Sequence, residues 1–416
     1  MTKNENNKNF IVSAGLTSLG AYIPAKKIAE NRVKEFTNFL REQTLLPKEY
    51  VDSIEQQGCL PGKIETNYEG WESKSWFKEW LKILPSSSKD DPFRGAKKRR
   101  IVPMDPESVR KSLNPHPMLP SDAETIAGAL AIFNGNINPD EIDLVLSHSL
   151  VPDQHLPLNA SLLQHKLGLK NAGAYNINTC CSSFITMTEL AASLIQTGKK
   201  KNVLIIDSVI HAHVMDRSAY FSPVFMGDAA TAGLVSKMDD NYGYMSSHST
   251  SQGSRHAAIH KFKRSPQMQG FTSHGSNHEQ LFITFYDREQ IKAAATNTQQ
   301  DMLEVVTGTL EKVNISREEV DFLVTHQPVH WAAHTWRKTL GIPENKFYES
   351  FKKYANVAGC CVPLNLIEAI EKDLIKPDDK VLMASSGIGE NHIALLHRVS
   401  SELVKNTCST LHEEER

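Results

Sequence analysis

Four residues of this 416-residue chain could together do chemistry: Cys181, His326, Asn356 and Gly387. Cys181 stands where a short stretch ends at Thr179-Cys180-Cys181 and a long apolar helix, Ser182 to Gln196, begins. A thiol at a helix start lies among unpaired backbone N–H groups, and the helix dipole favours its thiolate form. Thiolate is the attacking form, and a thioester is its natural product. Cys180, one residue earlier, is expected to point into the strand and is the weaker nucleophile candidate. His326, followed by Gln327-Pro328, closes a predicted strand. A neutral imidazole can donate from Nε2 to a thioester oxygen that becomes an enolate. Asn356, in Tyr354-Ala355-Asn356-Val357-Ala358-Gly359, offers a second uncharged donor, and Gly387 lets backbone approach a ligand with its N–H free for an oxyanion. Each residue also has an ordinary explanation: an inert buried cysteine, a satisfied histidine, two turn residues. Their joint placement, a cysteine with a histidine and an amide at strand ends, is the layout of a thiol-based acyl-transfer site.

The elements that must position them come from a duplication. Asn136 to His148 returns as Asn314 to His326, and the same offset of about 178 residues pairs Asn178 with Asn356, Val203-Leu204 with Val381-Leu382, and Ser208 with Ser386. A spacing held across so many elements implies two copies of one folding unit, here residues 1–237, with an extra segment at about 35–94, and residues 238–416. His148 occupies the place of His326 in the first copy, so a histidine there can also be structural.

The first copy opens with a strand within residues 10–24 and a mixed, partly helical segment over 28–93 with Trp71, Trp76 and Trp80. Ser121-Asp122-Ala123-Glu124 reads as a capping box with Ser121 as the cap of a helix to about Asn134. Strands follow at 142–147, 174–178 and 203–207, with helices at 158–167 and 182–196, and Gly227-Asp228-Ala229-Ala230 opens a further strand. Residues 238–280, rich in Ser, His and Gly, read as loops. The second copy has helices at 288–313, 329–340 and 362–373 and strands at 321–325, 381–384 and 393–397, with Ser385 to Gly389 as a tight turn. Strands alternating with buried helices, twice over, predict an α/β fold of two stacked sheets with largely parallel cores.

Composition narrows the function. The formal charge of −2 gives no global field for nucleic acid or anionic membrane. The local exception, Lys97-Lys98-Arg99-Arg100, suits either solvent or a ligand phosphate. The six cysteines, Cys59, Cys180, Cys181, Cys360, Cys361 and Cys408, have neither a disulfide framework's pattern nor zinc spacing. No stretch approaches membrane-spanning length, and residues 1–9 lack a signal-peptide core. A reducing cytoplasm with free thiols, no metal and no nucleic-acid or membrane partner is therefore expected.

In sequence, Asn178-Thr179-Cys180-Cys181-Ser182-Ser183-Phe184 is similar to the nucleophile motif of the β-ketoacyl-ACP synthase III group of the thiolase-like superfamily. Gly227-Asp228-Ala229-Ala230 resembles that group's Gly-Asp-Gly-Ala strand, Thr325-His326-Gln327 its His-Gln motif, Ala355-Asn356-Val357 its Gly-Asn-Thr, and Ser386-Gly387-Ile388-Gly389 its glycine loop. The resemblance implies a five-layered αβαβα thiolase fold, usually homodimeric, acting on acyl groups carried by CoA or acyl carrier protein and needing no further cofactor. It implies that Cys181 is acylated, that the N–H groups of Cys181 and Gly387 hold the oxyanion, and that His326 and Asn356 stabilise the enolate left when a malonyl-type thioester loses carbon dioxide. Gly95 to Ile101 resembles the stretch that meets the CoA nucleotide, which puts Arg99 and Arg100 forward as donor-binding residues. There are departures. Ala355 and Val357 replace a usual glycine and threonine. Trp331 stands near the place of a carrier-docking arginine, with Arg337 and Lys338 further along. The segment 35–94 is extra and points to a specialised pathway. Two other readings stay open: transfer of the acyl group to a different acceptor on the same fold, and a silent subunit of a heteromeric synthase. A non-decarboxylating synthase would need a glutamate base, and no motif picks one out.

Overall fold

The structure, a computed structural model, describes residues 12–66, 98–101, 118–154, 156–210, 226–263, 281–285 and 287–407. Trp71, Trp76, Trp80, Lys97, Cys408, most of the extra segment beyond residue 66 and residues 211–225 lie outside them.

Fourteen described strands are built in chain order: β1 (Ala14–Tyr22), β2 (Lys63–Thr66), β3 (Lys98–Ile101), β4 (Leu144–Ser149), β5 (Gly173–Asn176), β6 (Asn202–Val209), β7 (Ala229–Lys237), β8 (Gly243–Ser251), β9 (Ile259–Lys263), β10 (Leu281–Phe285), β11 (Phe322–Thr325), β12 (Phe347–Tyr348), β13 (Lys380–Gly387) and β14 (Asn391–Arg398). They form two five-stranded sheets, β1-β7-β6-β4-β5 and β12-β11-β13-β14-β8, and two small ribbons, β2-β3 and β9-β10. Read from its outer β1 or β8 strand, each large sheet has the same order. In each, the pairings β4-β5 and β4-β6, or β11-β12 and β11-β13, are parallel and the remainder antiparallel. The sheets are thus mixed, parallel only on one side. The duplication extends to register, since Leu144 faces Val203 and Phe322 faces Val381. It extends to backbone conformation too: Asn136 and Asn314 are left-handed at φ 47° and 52°, as are Cys180 and Ala358 at 52° and 48°.

Burial explains the layers. β6, Asn-Val-Leu-Ile-Ile-Asp-Ser-Val, is buried along nearly its whole length, as a strand covered on both faces must be. Its Val203 and Ile205 face the helices Ser183–Gln196 and Cys361–Glu371 in a core shared with Phe322, Val324 and Met383 of the other sheet. Its Leu204 and Ile206 face the helix Pro120–Gly135 in an outer core. The second sheet turns Leu323 and Leu382 to the helices Arg288–Glu311 and Ala332–Thr339. Helices outside, two sheets, and paired helices between them give the expected five-layered αβαβα arrangement. No helix among the described residues is long and apolar enough to cross a membrane.

Four sequence expectations need correction. Ser121 does not cap its helix. Pro120 already occupies the first turn, where its missing N–H costs nothing, so the helix starts earlier. Asp122 accepts the Leu119 N–H at 2.9 Å and Ser121 donates to Asp153 at 2.6 Å instead. Residues 238–280 are not all loop: β8 is the outer strand of the second sheet, the counterpart of β1. Its serines disguise it, but Ser246 donates to the Thr309 carbonyl at 2.8 Å and Ser247 to Glu189 at 2.6 Å. Ser385 to Gly387 continue strand β13 rather than turn. The helix assigned from Val329 begins at Ala332, after the bends that follow Pro328.

Candidate active site

Cys181, His326, Asn356 and Gly387 meet on one cavity of about 260 Å³, walled mainly by apolar side chains such as Leu150, Met226, Ile291 and Trp336. Both copies contribute. The first brings the nucleophile turn, a 3₁₀ segment Cys180–Ser182 feeding the central helix. The second clamps that turn: Ser385 donates to the Cys181 carbonyl at 2.8 Å, and Ser182 donates to the Asn391 carbonyl at 2.8 Å. Gly387 fits because it lacks a side chain. A Cβ there would lie 2.2 Å from the Thr179 carbonyl oxygen and 3.2 Å from the Cys181 nitrogen. The next amide, that of Ile388, reaches the sulfur of Cys180, as does the N–H of Cys181. Two backbone donors therefore converge on the Cys180 sulfur, 3.8 Å from that of Cys181.

His326 ends β11, with its N–H on the Ala384 carbonyl at 2.9 Å and its ring 1 % exposed. Burial depresses the imidazole to about 3, and only the neighbouring Ala358 backbone favours its charged form. It is a neutral ring throughout the physiological range. Asn356 has a fixed amide: its Oδ1 accepts from the Ala358 N–H at 2.8 Å, and its Nδ2 donates to the Pro328 carbonyl at 3.2 Å. An amide nitrogen carries two hydrogens, so a second donor remains for a ligand. The same turn occurs in the first copy, where Asn178 accepts from the Cys180 N–H at 3.0 Å. The nucleophile turn and the asparagine loop are one local structure used twice.

The Ala355 departure is kept at an energetic cost. Its backbone, φ 59° and ψ −153°, lies in a region that glycine occupies freely, and an alanine there carries about 1–3 kcal/mol of strain. Its surroundings over-determine the loop. Gln327 accepts from the Ser350 N–H at 3.0 Å and donates to the Ala355 carbonyl at 3.1 Å, while the Gly227 N–H donates to the Asn356 carbonyl at 3.0 Å. A side chain on Gly227 would meet the Tyr354 carbonyl at 2.3 Å, so that glycine is needed for the approach. Beneath the loop, Glu368 accepts from Lys26 at 3.2 Å, Lys353 at 2.8 Å, Tyr348 at 3.0 Å and Tyr354. Burial opposes its charge, but Lys26 and the hydrogen bonds hold its carboxyl down to about 2. Removing one member of a buried pair strands the others, so Glu368→Ala should lower unfolding free energy by about 3–5 kcal/mol. The carboxyl is depressed in the folded state, so its contribution is present above its ordinary 4.5 and is lost as pH falls toward 2. Denaturant titrations at several pH values check both, and a loss under about 1 kcal/mol would show that solvent replaces the cluster.

One expectation about the thiols is corrected. Cys180 does not point into the strand; its left-handed backbone brings it to the cavity wall, with its sulfur 3.8 Å from that of Cys181. The Cys181 thiol titrates together with that of Cys180. The adjacent Cys180 sulfur and burial push it up, while the Cys181 thiol, the imidazole of His148 and the two N–H groups pull Cys180 down. The described cysteines, Cys59, Cys180, Cys181, Cys360 and Cys361, are all free thiols. His148 is paired through Nδ1 with Asp207 at 2.8 Å; burial opposes its charge, but Asp207 outweighs this and raises it.

Several contributors escaped sequence reasoning. Gln327 and Asn365 join the histidine strand to the asparagine loop. Glu390, in the turn after Gly387, lines the cavity, with Arg255 donating to it at 3.0 Å and to Asp301 at 2.6 Å. Arg255 fills the middle of the Asp301-Glu390-His392 group, the one set of ligand-type side chains close enough together among the described residues to suggest a metal. Arg337 is buried, donating to the Ile342 carbonyl at 2.9 Å, and is not a surface docking residue, whereas Trp331 is 43 % exposed at the cavity. Arg99 and Arg100 lie on β3, with side chains outside the described residues.

A duplicated five-layered fold with a cysteine, a histidine and an asparagine on one cavity defines a thiolase-type enzyme. The sequence model for 3-oxoacyl-[acyl-carrier-protein] synthase III matches residues 175–253, and that for its C-terminal part matches residues 310–399. A β-ketoacyl-[acyl-carrier-protein] synthase III of Clostridium perfringens is 30 % identical over 269 residues, covering 65 % of this chain and 81 % of the relative. One of Caldanaerobacter subterraneus is 28 % identical over 330 residues, covering 79 % and 92 %. The crystal structure of the Aquifex aeolicus synthase III superposes with a TM-score of 0.63 at 22 % identity, covering 93 % of this chain and all of that one (100 %). The chain belongs to the β-ketoacyl-[acyl-carrier-protein] synthase III family of condensing acyltransferases.

Proposed function

We propose that this protein condenses an acyl group with a malonyl-type thioester, losing carbon dioxide, in two half-reactions at one cavity. Cys181 attacks an acyl thioester, and its proton leaves with the displaced pantetheine thiol. The oxyanion is received by the Cys181 N–H and by the turn that begins at Gly387. A malonyl thioester then enters. The electrons of its breaking carbon–carboxyl bond move onto the thioester oxygen, which His326 and Asn356 hold without protonating. The enolate carbon attacks the acyl-cysteine, and the Cys181 thiolate is expelled. The observation that carries this reading is the pair of uncharged donors, one kept neutral by burial and one fixed by the Ala358 N–H, sharing a mainly apolar cavity with a thiol.

Relatives named for the acyl carrier protein favour a carrier-bound extender. Arg99 and Arg100 keep CoA open as the acyl carrier, the assembly is proposed as a homodimer, and the extra segment favours a specialised pathway. Glu390 supports a second reading, transfer to another acceptor. It is the carboxylate on the described cavity wall, where it repels a malonyl carboxylate and can take a proton from an acceptor.

The test is intact-protein mass after incubation with short, branched and aromatic acyl-CoAs, and with the same groups on acyl carrier protein. A gain of one acyl group in wild type that is lost in Cys181→Ala supports the first half-reaction. Release of carbon dioxide on adding malonyl thioester then separates condensation from transfer. No adduct with any donor would overturn the proposal in favour of a silent subunit.

A further inference from the structure

Cys180 has no part in the reaction just described, yet it shares the cavity wall with Cys181. Their sulfurs are 3.8 Å apart, and both residues line the same cavity. The left-handed backbone at Cys180 turns its side chain out of the strand and toward its neighbour. Its surroundings are those of a reactive thiol. The N–H groups of Cys181 and Ile388 face its sulfur, and the nearby His148 is tied through Nδ1 to Asp207 while its buried Nε2 has no partner among the described residues. A thiolate so placed is oxidised ahead of an ordinary buried thiol.

From this juxtaposition we infer that Cys180 and Cys181 form a reversible redox site, in which a hydroperoxide such as hydrogen peroxide oxidises the pair to a disulfide between adjacent residues and switches off the nucleophile. The Cys180 thiolate attacks one peroxide oxygen; the O–O bond breaks, an S–O bond forms, and the departing hydroxide takes a proton to become water. The Cys181 thiol then attacks the resulting sulfenic sulfur; the S–S bond forms, the S–O bond breaks, and a second water leaves with the Cys181 proton. The two thiols lose two electrons and the peroxide gains them. Adjacent Cα atoms are about 3.8 Å apart, shorter than the usual disulfide range of roughly 4.4–6.8 Å, so this bond is strained and easily reduced. Strain of that kind marks a labile disulfide rather than a structural one. Its consequence is protective: Cys181 is parked as a disulfide instead of advancing to a sulfinic acid, which thiols do not reverse.

The experiment uses thiol chemistry alone, so its outcome is independent of whether the protein condenses or transfers acyl groups. Full-length wild type is treated with hydrogen peroxide, then with dithiothreitol, and alkylation of Cys181 by iodoacetamide is read by peptide mass. The expected wild-type result is a peptide lighter by two hydrogens that spans both cysteines, with alkylation at least ten-fold reduced and then restored by dithiothreitol. Cys180→Ala should instead add oxygen at Cys181, and its alkylation should not return. Alanine is tolerated in this backbone conformation, as the repeat-related Ala358 shows, and a circular-dichroism melt of the variant confirms its fold. Oxygen added to Cys181 in wild type without loss of the two hydrogens would overturn the inference. So would full dithiothreitol recovery in Cys180→Ala.

Discussion

Alanine at Gly387 should give a folded protein that no longer takes up an acyl group at Cys181 at a useful rate. The added methyl would begin 2.2 Å from the Thr179 carbonyl oxygen, far inside van der Waals contact, and that oxygen is backbone. The same carbonyl accepts the Ser182 N–H at 3.2 Å and so shapes the nucleophile turn. Strand β13 is held on both sides by β11 and β14, and the turn is the side that must yield. A displacement near 1 Å at a reacting centre costs about 10²-fold, so acylation should slow at least that much. Overpacking should lower stability by about 1–3 kcal/mol without unfolding the chain. Time-resolved intact mass gives the rate and a thermal melt gives the fold. Wild-type acylation in Gly387→Ala would show that the turn relaxes freely and that the oxyanion is held elsewhere.

His326→Ala should separate the two half-reactions. On the proposed mechanism His326 meets the enolate oxygen of the second thioester rather than the first carbonyl, so acylation of Cys181 should persist while condensation falls about 10²–10³-fold, the usual cost of one such donor. The pH dependence carries a sharper signature. Because burial depresses the imidazole from 6.5 to about 3, it stays neutral as pH falls through 6.5, and condensation in the wild type should show no His-type loss there. The sign for stability follows the same shift: the unfolded chain binds a proton near 6.5 that the folded chain refuses, so stability present above 6.5 declines as pH falls toward 3. His326→Ala should lack that decline. A condensation rate that halves near 6.5 and tracks His326 would mean that the ring works as a cation.

Much of this was legible in the sequence because duplication leaves a linear signal. The repeat of Asn136 to His148 at Asn314 to His326 foretold two like sheets, and the buried runs of β4, β6, β11 and β13 are apolar enough to read as strands. The edge strand β8 was hidden because it pairs on one side only and its serines bond to carbonyl and carboxylate groups far along the chain. The four site residues were readable by type and position. The closeness of the two sulfurs was not, because it depends on the left-handed backbone at Cys180, which only the folded chain shows. Glu390 was equally hidden, since a glutamate three residues beyond Gly387 has no local feature that marks a cavity wall.

The clamp from Ser385 and Asn391 onto the Cys181 turn has a consequence for the order of events during synthesis. The nucleophile leaves the ribosome long before the strand ends that shape and supply its donors. An emerging first copy holds a thiol but lacks the Gly387 turn, the histidine and the asparagine, so it has no means to capture an acyl thioester productively. Reactivity appears only when the last strands, β13 and β14, dock. On the proposed mechanism, competence for acylation then reports docking of the second copy onto the first.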